Sequence, residues 1–170
     1  AIDSSPAGEA WPATARAWAM VMLLVAAYAV AFVDRQILTL LVEPVKRDLG
    51  ITDTQFSLLS GLAFTFFYTI MGIPFAWLAD RGSRRNLIIV SMTFWSVMTA
   101  ACGMASSFLT LFLARIGVGV GEAGLSPAAY SMIADSFPPE KRARPLGVYV
   151  TGAILGVGLA LIIGGAVVHW

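Results

Sequence analysis

Charge is scarce in this 170-residue chain: Asp, Glu, Lys and Arg make up 12% of it, against 58% hydrophobic residues and a mean hydropathy of +0.81. Globular domains carry about 25% charged residues, which coat their surface. At half that density an ordinary soluble domain is excluded, and lipid is the solvent the chain suits. A net charge of +1 offers no field for nucleic acid or an acidic partner. Cysteine and histidine are nearly missing too. A lone Cys102, set in an apolar run, cannot form an internal disulfide, and His169 has no companion at metal-ligand spacing. Metal, cofactor and nucleophile chemistry have no starting point, so no enzyme is expected. Residues 1–15 (AIDSSPAGEAWPATA) lack the apolar core of a signal peptide and read as a flexible cytoplasmic tail.

What is present is long uncharged runs. A helix needs roughly 20 apolar residues to cross the hydrocarbon core. Residues 17–33 are uncharged, and the apolar pattern resumes after Asp34-Arg35, which predicts one helix over 17–42. Residues 54–79 give 26 uncharged positions, 86–114 give 29 and 145–168 give 24. The run of 29 is too long for one span and divides at Ala105-Ser106-Ser107. Five spans result: 17–42, 55–79, 86–104, 108–134 and 145–168. Thr52 or Asp53 can cap the second, with Gln55 assisting. Pro138-Pro139 stop the fourth, and Pro74 is expected to bend the second rather than end it.

Lysine and arginine in the short loops set the orientation. One side carries Arg16, Arg81, Arg84, Arg85, Lys141, Arg142 and Arg144, seven in all; the other carries only Lys46 and Arg47, diluted by Glu43, Asp48 and Asp53. The seven-residue side is predicted to be cytoplasmic, in a multi-pass protein of a plasma or bacterial inner membrane with its N-terminus inside. Gly117/Gly121 and Gly152/Gly156 are small-xxx-small pairs that let helix backbones approach closely.

Three stretches carry a family resemblance. Ala76-Trp77-Leu78-Ala79-Asp80-Arg81-Gly82-Ser83-Arg84-Arg85 resembles the signature loop of the major facilitator superfamily, G-x-L-A-D-R-x-G-R-R/K, departing at Ala76 and in the order Gly82-Ser83. Arg115-Ile116-Gly117-Val118-Gly119-Val120-Gly121-Glu122-Ala123 is similar to its arginine-glycine motif, and 138–147 is similar to its link into the fifth helix. The last span has the glycine spacing of the antiporter motif without its central Gly-Pro. Within the superfamily, Asp34-Arg35 and Gly119 to Ala123 most resemble the spinster-like transporters. The resemblance implies an all-α membrane protein, five transmembrane helices of a twelve-helix major facilitator fold in two halves. On that reading residues 16–170 are the N-terminal transporter half without its sixth helix, and the C-terminal half is the necessary partner.

A charge at a helix centre costs about 2.5–3.5 kcal/mol on insertion scales, so Asp34, Arg35, Arg115 and Glu122 need a reason. They could be structural, with Asp34 pairing Arg35 or Arg115 to pin two helices. Arg115 and Glu122, seven residues apart, share a helix face about 10 Å apart. Counted from the outer helix ends, Arg115 and Asp34 lie at similar depth, about 10–12 Å down, with Glu122 deeper. Arg35 points about 100° away from Asp34 and has the least defined role. The functional expectation is that Asp34 and Glu122 couple proton movement to transport. Burial favours the protonated form of a carboxyl and a neighbouring arginine the ionised form. Arg35 or Arg115 could instead hold an anionic head group, and Tyr28 is a further cavity candidate.

The signature loop implies a mechanical role: Asp80, with Arg81, Arg84 and Arg85, latches the two halves when the cytoplasmic side is closed. The three arginines could equally serve only topology. Phe64, Phe66, Phe67 and Tyr68 point in several directions, toward lipid or other helices, and Trp11, Trp18 and Trp170 suit the interface. The expected activity is secondary active transport by alternating access, coupled to protons, of a lipid-related or amphipathic organic substrate. The rivals are a multidrug efflux proton antiporter and, in another class, a helical membrane scaffold or intramembrane enzyme.

Overall fold

A computed structural model of the chain describes residues 14–168. Trp11, His169, Trp170 and nearly all of the expected 1–15 tail lie outside the described residues. In lipid no water satisfies a stray N–H or C=O, so the backbone must bond within itself, and helices do this segment by segment. Among the described residues there is no strand. The elements are α1 (Thr14–Leu40), α2 (Val42–Leu49), α3 (Asp53–Ser57), a π-helical turn (Leu58–Leu62), α4 (Ala63–Arg81), α5 (Arg84–Gly103), α6 (Phe108–Glu122), α7 (Leu125–Ser136), a 3₁₀ turn (Pro139–Lys141) and α8 (Ala143–Val168). Five segments are long and apolar enough to cross a membrane: Thr14–Leu40, Asp53–Arg81, Arg84–Gly103, Phe108–Ser136 and Ala143–Ala166.

The helix ends follow local chemistry. Thr52 and Gln55 form a reciprocal capping box, with the Thr52 amide donating to Gln55 Oε1 at 2.9 Å and the Gln55 amide to Thr52 Oγ1 at 3.3 Å. Ser107 and Thr110 do the same for α6, and Ser83 caps α5. Two features depart from the expected spans. The first helix stops at Leu40 instead of 42, and after a turn at Leu41 the charged segment winds into α2. Gly50, at φ +62°, ends α2 in the left-handed conformation that glycine adopts without steric penalty. Its amide and that of Ile51 both bond the Lys46 carbonyl. Lys46 Nζ also reaches Asp53 at 2.5 Å, and this carboxylate holds the lysine pKa above its ordinary value. The fourth span, expected unbroken over 108–134, is interrupted at Ala123-Gly124. Pro127 has no N–H for the Ala123 carbonyl, which explains the break. Pro74, by contrast, lies inside a continuous α4.

Packing reverses the arrangement of a soluble domain. Ile73, Ile154 and Ile162 are more than 70% exposed, while Arg115 and Glu122 are buried; that suits a solvent made of lipid tails. Small residues decide which helices meet. α1 lies along α8, where a Cβ at Gly152 would stand 2.7 Å from the Val25 carbonyl oxygen and one at Gly156 would run into that of Ala29. On α6, a Cβ at Gly119 would stand 2.7 Å from the Phe64 carbonyl oxygen, and one at Gly121 would press on the Trp95 backbone. Both small-xxx-small pairs therefore lie at helix contacts, Gly117 meeting Met98 of α5. Ala17, Val21, Val25, Ile133, Phe137 and Tyr149 close one end of the bundle, and Leu38, Phe56, Leu59 and Leu111 the other.

The glycine contacts are testable. Gly156→Ala should destabilise the complete protein by about 1–3 kcal/mol, because the obstacle is backbone that cannot yield. Gly158→Ala, with nothing within 4 Å of its added carbon, should be neutral or stabilising by up to ~1 kcal/mol. Thermal unfolding of the two purified variants, compared with the parent, separates these outcomes.

Candidate functional site

α1 supplies Asp34 and Arg35 at adjacent positions, so the two side chains leave the helix in different directions. α6 supplies Arg115 and Glu122 two turns apart. Arg35 Nε donates to Glu122 Oε2 at 2.7 Å. Glu122's side chain is 0% exposed and that of Arg35 24%, so one partner is sealed and the other keeps an open flank. The second carboxylate oxygen, Glu122 Oε1, is buried without a hydrogen-bond partner among the described residues.

Aromatic faces enclose the guanidinium. Arg35 Cζ lies 4.9 Å from the Phe32 ring centroid, 4.8 Å from that of Phe64 and 4.8 Å from that of Tyr68. Each face offers negative quadrupole density to a cation with little water around it. Phe64 also takes Arg115, whose Cζ is 5.3 Å from the same ring. The close approach at Gly119 is what brings Phe64 here.

Asp34 does not form the helix-pinning pair that the structural alternative required. Among the described residues it has no ion pair within 4 Å, neither with Arg35 nor with Arg115; Oδ2 accepts from Thr99 Oγ1 of α5 at 3.1 Å. The physical reason is rotation: α1 turns Arg35 toward Glu122 and Asp34 toward α5. Asp34 and Arg115 do share a cavity of about 320 Å³, with Asp48, Thr99 and Cys102 also on its wall. Arg115 Nε is buried there without a partner among the described residues. The four intramembrane charges thus form two sites, a part-buried Arg35–Glu122 pair and an Asp34–Arg115 cavity, with Phe64 touching both guanidinium groups.

Tyr28 stacks on Tyr149 with centroids 4.7 Å apart and meets Phe32 edge-on at 5.0 Å, while Tyr130 meets Tyr149 edge-on at 5.4 Å. An aromatic row therefore runs from the arginine to the α1–α8 seam. Sequence reasoning missed Thr99, Tyr149 and the pairing roles of Phe64 and Tyr68. Phe64 and Tyr68 are four apart, hence on one helix face; Tyr149, Gly152 and Gly156 have the spacing of one stripe. At the predicted latch Asp80 is exposed and without an ion pair among the described residues. Arg81 lies over Trp77 with 4.5 Å to the centroid, Arg84 pairs with Asp135 of α7, and Arg85 is exposed.

A bundle of five apolar spans with charges buried between its first, second and fourth has counterparts among known proteins. Residues 24–170 match the Major Facilitator Superfamily model, and the chain belongs to that family. An "MFS-type efflux pump" of Mycolicibacterium smegmatis is 39% identical over 165 residues, covering 97% of this chain and 38% of the relative. "Protein spinster homolog 1" of Xenopus tropicalis is 33% identical, covering 82% of the chain and 28% of the relative. A crystal structure of a bacterial homolog to the human lysosomal transporter spinster, inward-facing and occupied, superposes with a TM-score of 0.85. It is 40% identical, covering 91% of this chain and 33% of that one. The chain therefore spans about a third of the length of the relatives it matches, and its spinster-like character is supported by both sequence and structure.

The Arg35–Glu122 pair carries a stability consequence. Removing one partner of a buried ion pair leaves an uncompensated charge, at a cost of about 3–5 kcal/mol. Arg35→Met alone should reach this range by stranding the carboxylate, and Glu122→Leu alone should be costly for the mirror reason. The double variant should recover much of the loss. Thermal unfolding of the complete protein in a double-mutant cycle reads the coupling, and additive losses would show that the contact contributes nothing.

Proposed function

We propose that the chain is the N-terminal half of a secondary active transporter that works by alternating access and couples transport to protons. The observation that carries this reading is the Arg35–Glu122 pair, which leaves one carboxylate oxygen buried and without a partner among the described residues. Separating the pair would strand a charge in an apolar bundle, and proton uptake by the carboxylate removes that charge. Rocking of two halves about a central site supplies such a separation. Asp34 has the complementary position, bonded to the Thr99 hydroxyl and beside an open cavity.

The substrate class follows from the arginines and the rings around them. A guanidinium forms paired hydrogen bonds to carboxylate or phosphate, and the aromatic row beside Arg35 suits an apolar body. A lipid-related or amphipathic organic anion fits both. Relatives named as L-galactonate and hexuronate transporters, 32% and 30% identical, support an anionic cargo. A second reading, efflux of drug-like molecules, draws on the Mycolicibacterium smegmatis relative's name. The distribution of basic residues supports an N-terminus on the cytoplasmic side of a cell membrane. The C-terminal half of the same transporter completes the pathway.

Reconstituted in proteoliposomes, the complete transporter should accumulate lysolipid or organic-anion substrate when a pH gradient is imposed. Glu122→Gln should abolish that gradient-driven part while leaving exchange at equal pH measurable, and Asp34→Asn should reduce it. Full coupling in both variants would sink the proton reading, and transport confined to cationic drugs would favour efflux.

Asp80 is free to hydrogen-bond the positive N-terminus of a helix in the other half. Asp80→Ala should therefore shift the complete protein toward the inward-open state, with cytoplasmic-side labelling of engineered cavity cysteines increasing several-fold. Unchanged labelling would count against the latch.

A further inference from the structure

Away from the intramembrane charges, a cavity of about 480 Å³ opens between the start of α1, the end of α7 and the start of α8. Its walls are apolar: Ala17, Trp18, Phe137 and Pro145. Thr14 adds a hydroxyl to the lining, and the polar groups of Ser136 and Phe137 are already committed. The Phe137 carbonyl accepts from Arg142 Nε at 2.9 Å, and the Ser136 hydroxyl donates to the Met132 carbonyl at 2.8 Å. Trp18 stands edge-on to Phe137, 5.7 Å between centroids. At the mouth the chemistry changes sign and character. Lys141 and Arg144 line it, both exposed, and neither has a carboxylate within 4 Å among the described residues. Arg144 extends over the Trp18 ring at 5.6 Å from the centroid. Arg16, also exposed, directly precedes Ala17 on α1 but does not line the cavity.

We infer that this groove binds an anionic glycerophospholipid from the leaflet facing the seven basic side chains, its phosphate held by Lys141 and Arg144 and an acyl chain laid against Trp18 and Phe137. The occupant must be part apolar and part anionic, because the walls offer a soluble anion nothing and the mouth offers a neutral lipid no preference. A tryptophan near the start of a spanning helix marks the depth where headgroup and chain meet. Basic pockets between helix ends are suited to anionic headgroups, and each cation near such a surface adds to the attraction. The zwitterionic alternative is disfavoured by charge, since its ammonium would meet unpaired cations. This inference stands whether or not the transport reading holds, because lipid binding is read without transport.

The test uses the complete transporter in phosphatidylcholine nanodiscs doped with brominated phosphatidylglycerol or brominated phosphatidylcholine. The Trp18 contribution is the fluorescence difference between the parent and Trp18→Phe. Brominated phosphatidylglycerol should quench it at a much lower mole fraction than brominated phosphatidylcholine. In Lys141→Gln/Arg144→Gln that preference should fall on the order of tenfold, given two lost surface cations. Arg47→Gln, on the opposite end of the bundle, should retain it. Equal quenching by the two lipids, or a preference that survives the double substitution, overturns the proposal.

Discussion

The contact between Arg35 and Glu122 is the constraint on which the bundle's interior depends. Two ionised groups inside lipid are unfavourable singly, and each helix that touches them reduces that penalty in a different way. α1 brings the arginine and one ring, Phe32. α4 brings two more rings, Phe64 and Tyr68, four residues apart on one face. α6 brings the carboxylate, and it can do so only because glycine at 119 lets the α4 backbone close in. A side chain there would push Phe64 away from both arginines. The glycine stripe on α8 acts one step further back, seating α8 against α1 at Val25 and Ala29. The glycines are therefore part of the electrostatics of the site as well as its packing.

Phe64 gives the two charged sites a mechanical link. Its ring lies within 5.3 Å of both guanidinium carbons, so displacement of α4 alters the surroundings of Arg35 and Arg115 together. The sites differ in what such a displacement would expose. Glu122 is sealed, and loss of its arginine leaves a charge without water. Asp34 borders a cavity and holds a threonine hydroxyl, an easier bond to exchange. The two carboxylates therefore stand in unlike surroundings, one closed off from the cavity and one beside it.

Much of this was legible in the sequence because the membrane imposes strict rules. Intervals between charges located the five spans, and Ala105-Ser106-Ser107 marked the division of the longest run. The glycine pairs pointed to close helix contacts, and the Asp34-Arg35 and Gly119 to Ala123 stretches pointed to spinster-like transporters. Partner choice was not legible. Arg35 and Asp34 are adjacent in sequence but about 100° apart around the axis, so the rotation of α1 alone decides which of them meets Glu122. That rotation is set by Gly152 and Gly156, contacts between residues more than a hundred positions apart. α2 was hidden because eight charged and apolar residues after a long span look like a loop. The interruption at Ala123-Gly124 had a local signal, Pro127, four residues beyond the carbonyl it leaves free.

The basic face shows how a rule of thumb resolves into separate tasks once side chains are placed. Seven cations on one side satisfy the orientation bias by number alone, yet they are not equivalent. Arg84 is bound to Asp135, tying α5 to α7, and Arg142 fastens its own loop through the Phe137 carbonyl. Arg81 covers Trp77. Arg16, Arg85, Lys141 and Arg144 have no carboxylate within 4 Å among the described residues, and two of these four, Lys141 and Arg144, line the groove beside Trp18. Charge needed only for topology could be scattered at random over the loops. Its concentration at an apolar opening is better explained by an anionic occupant than by orientation alone.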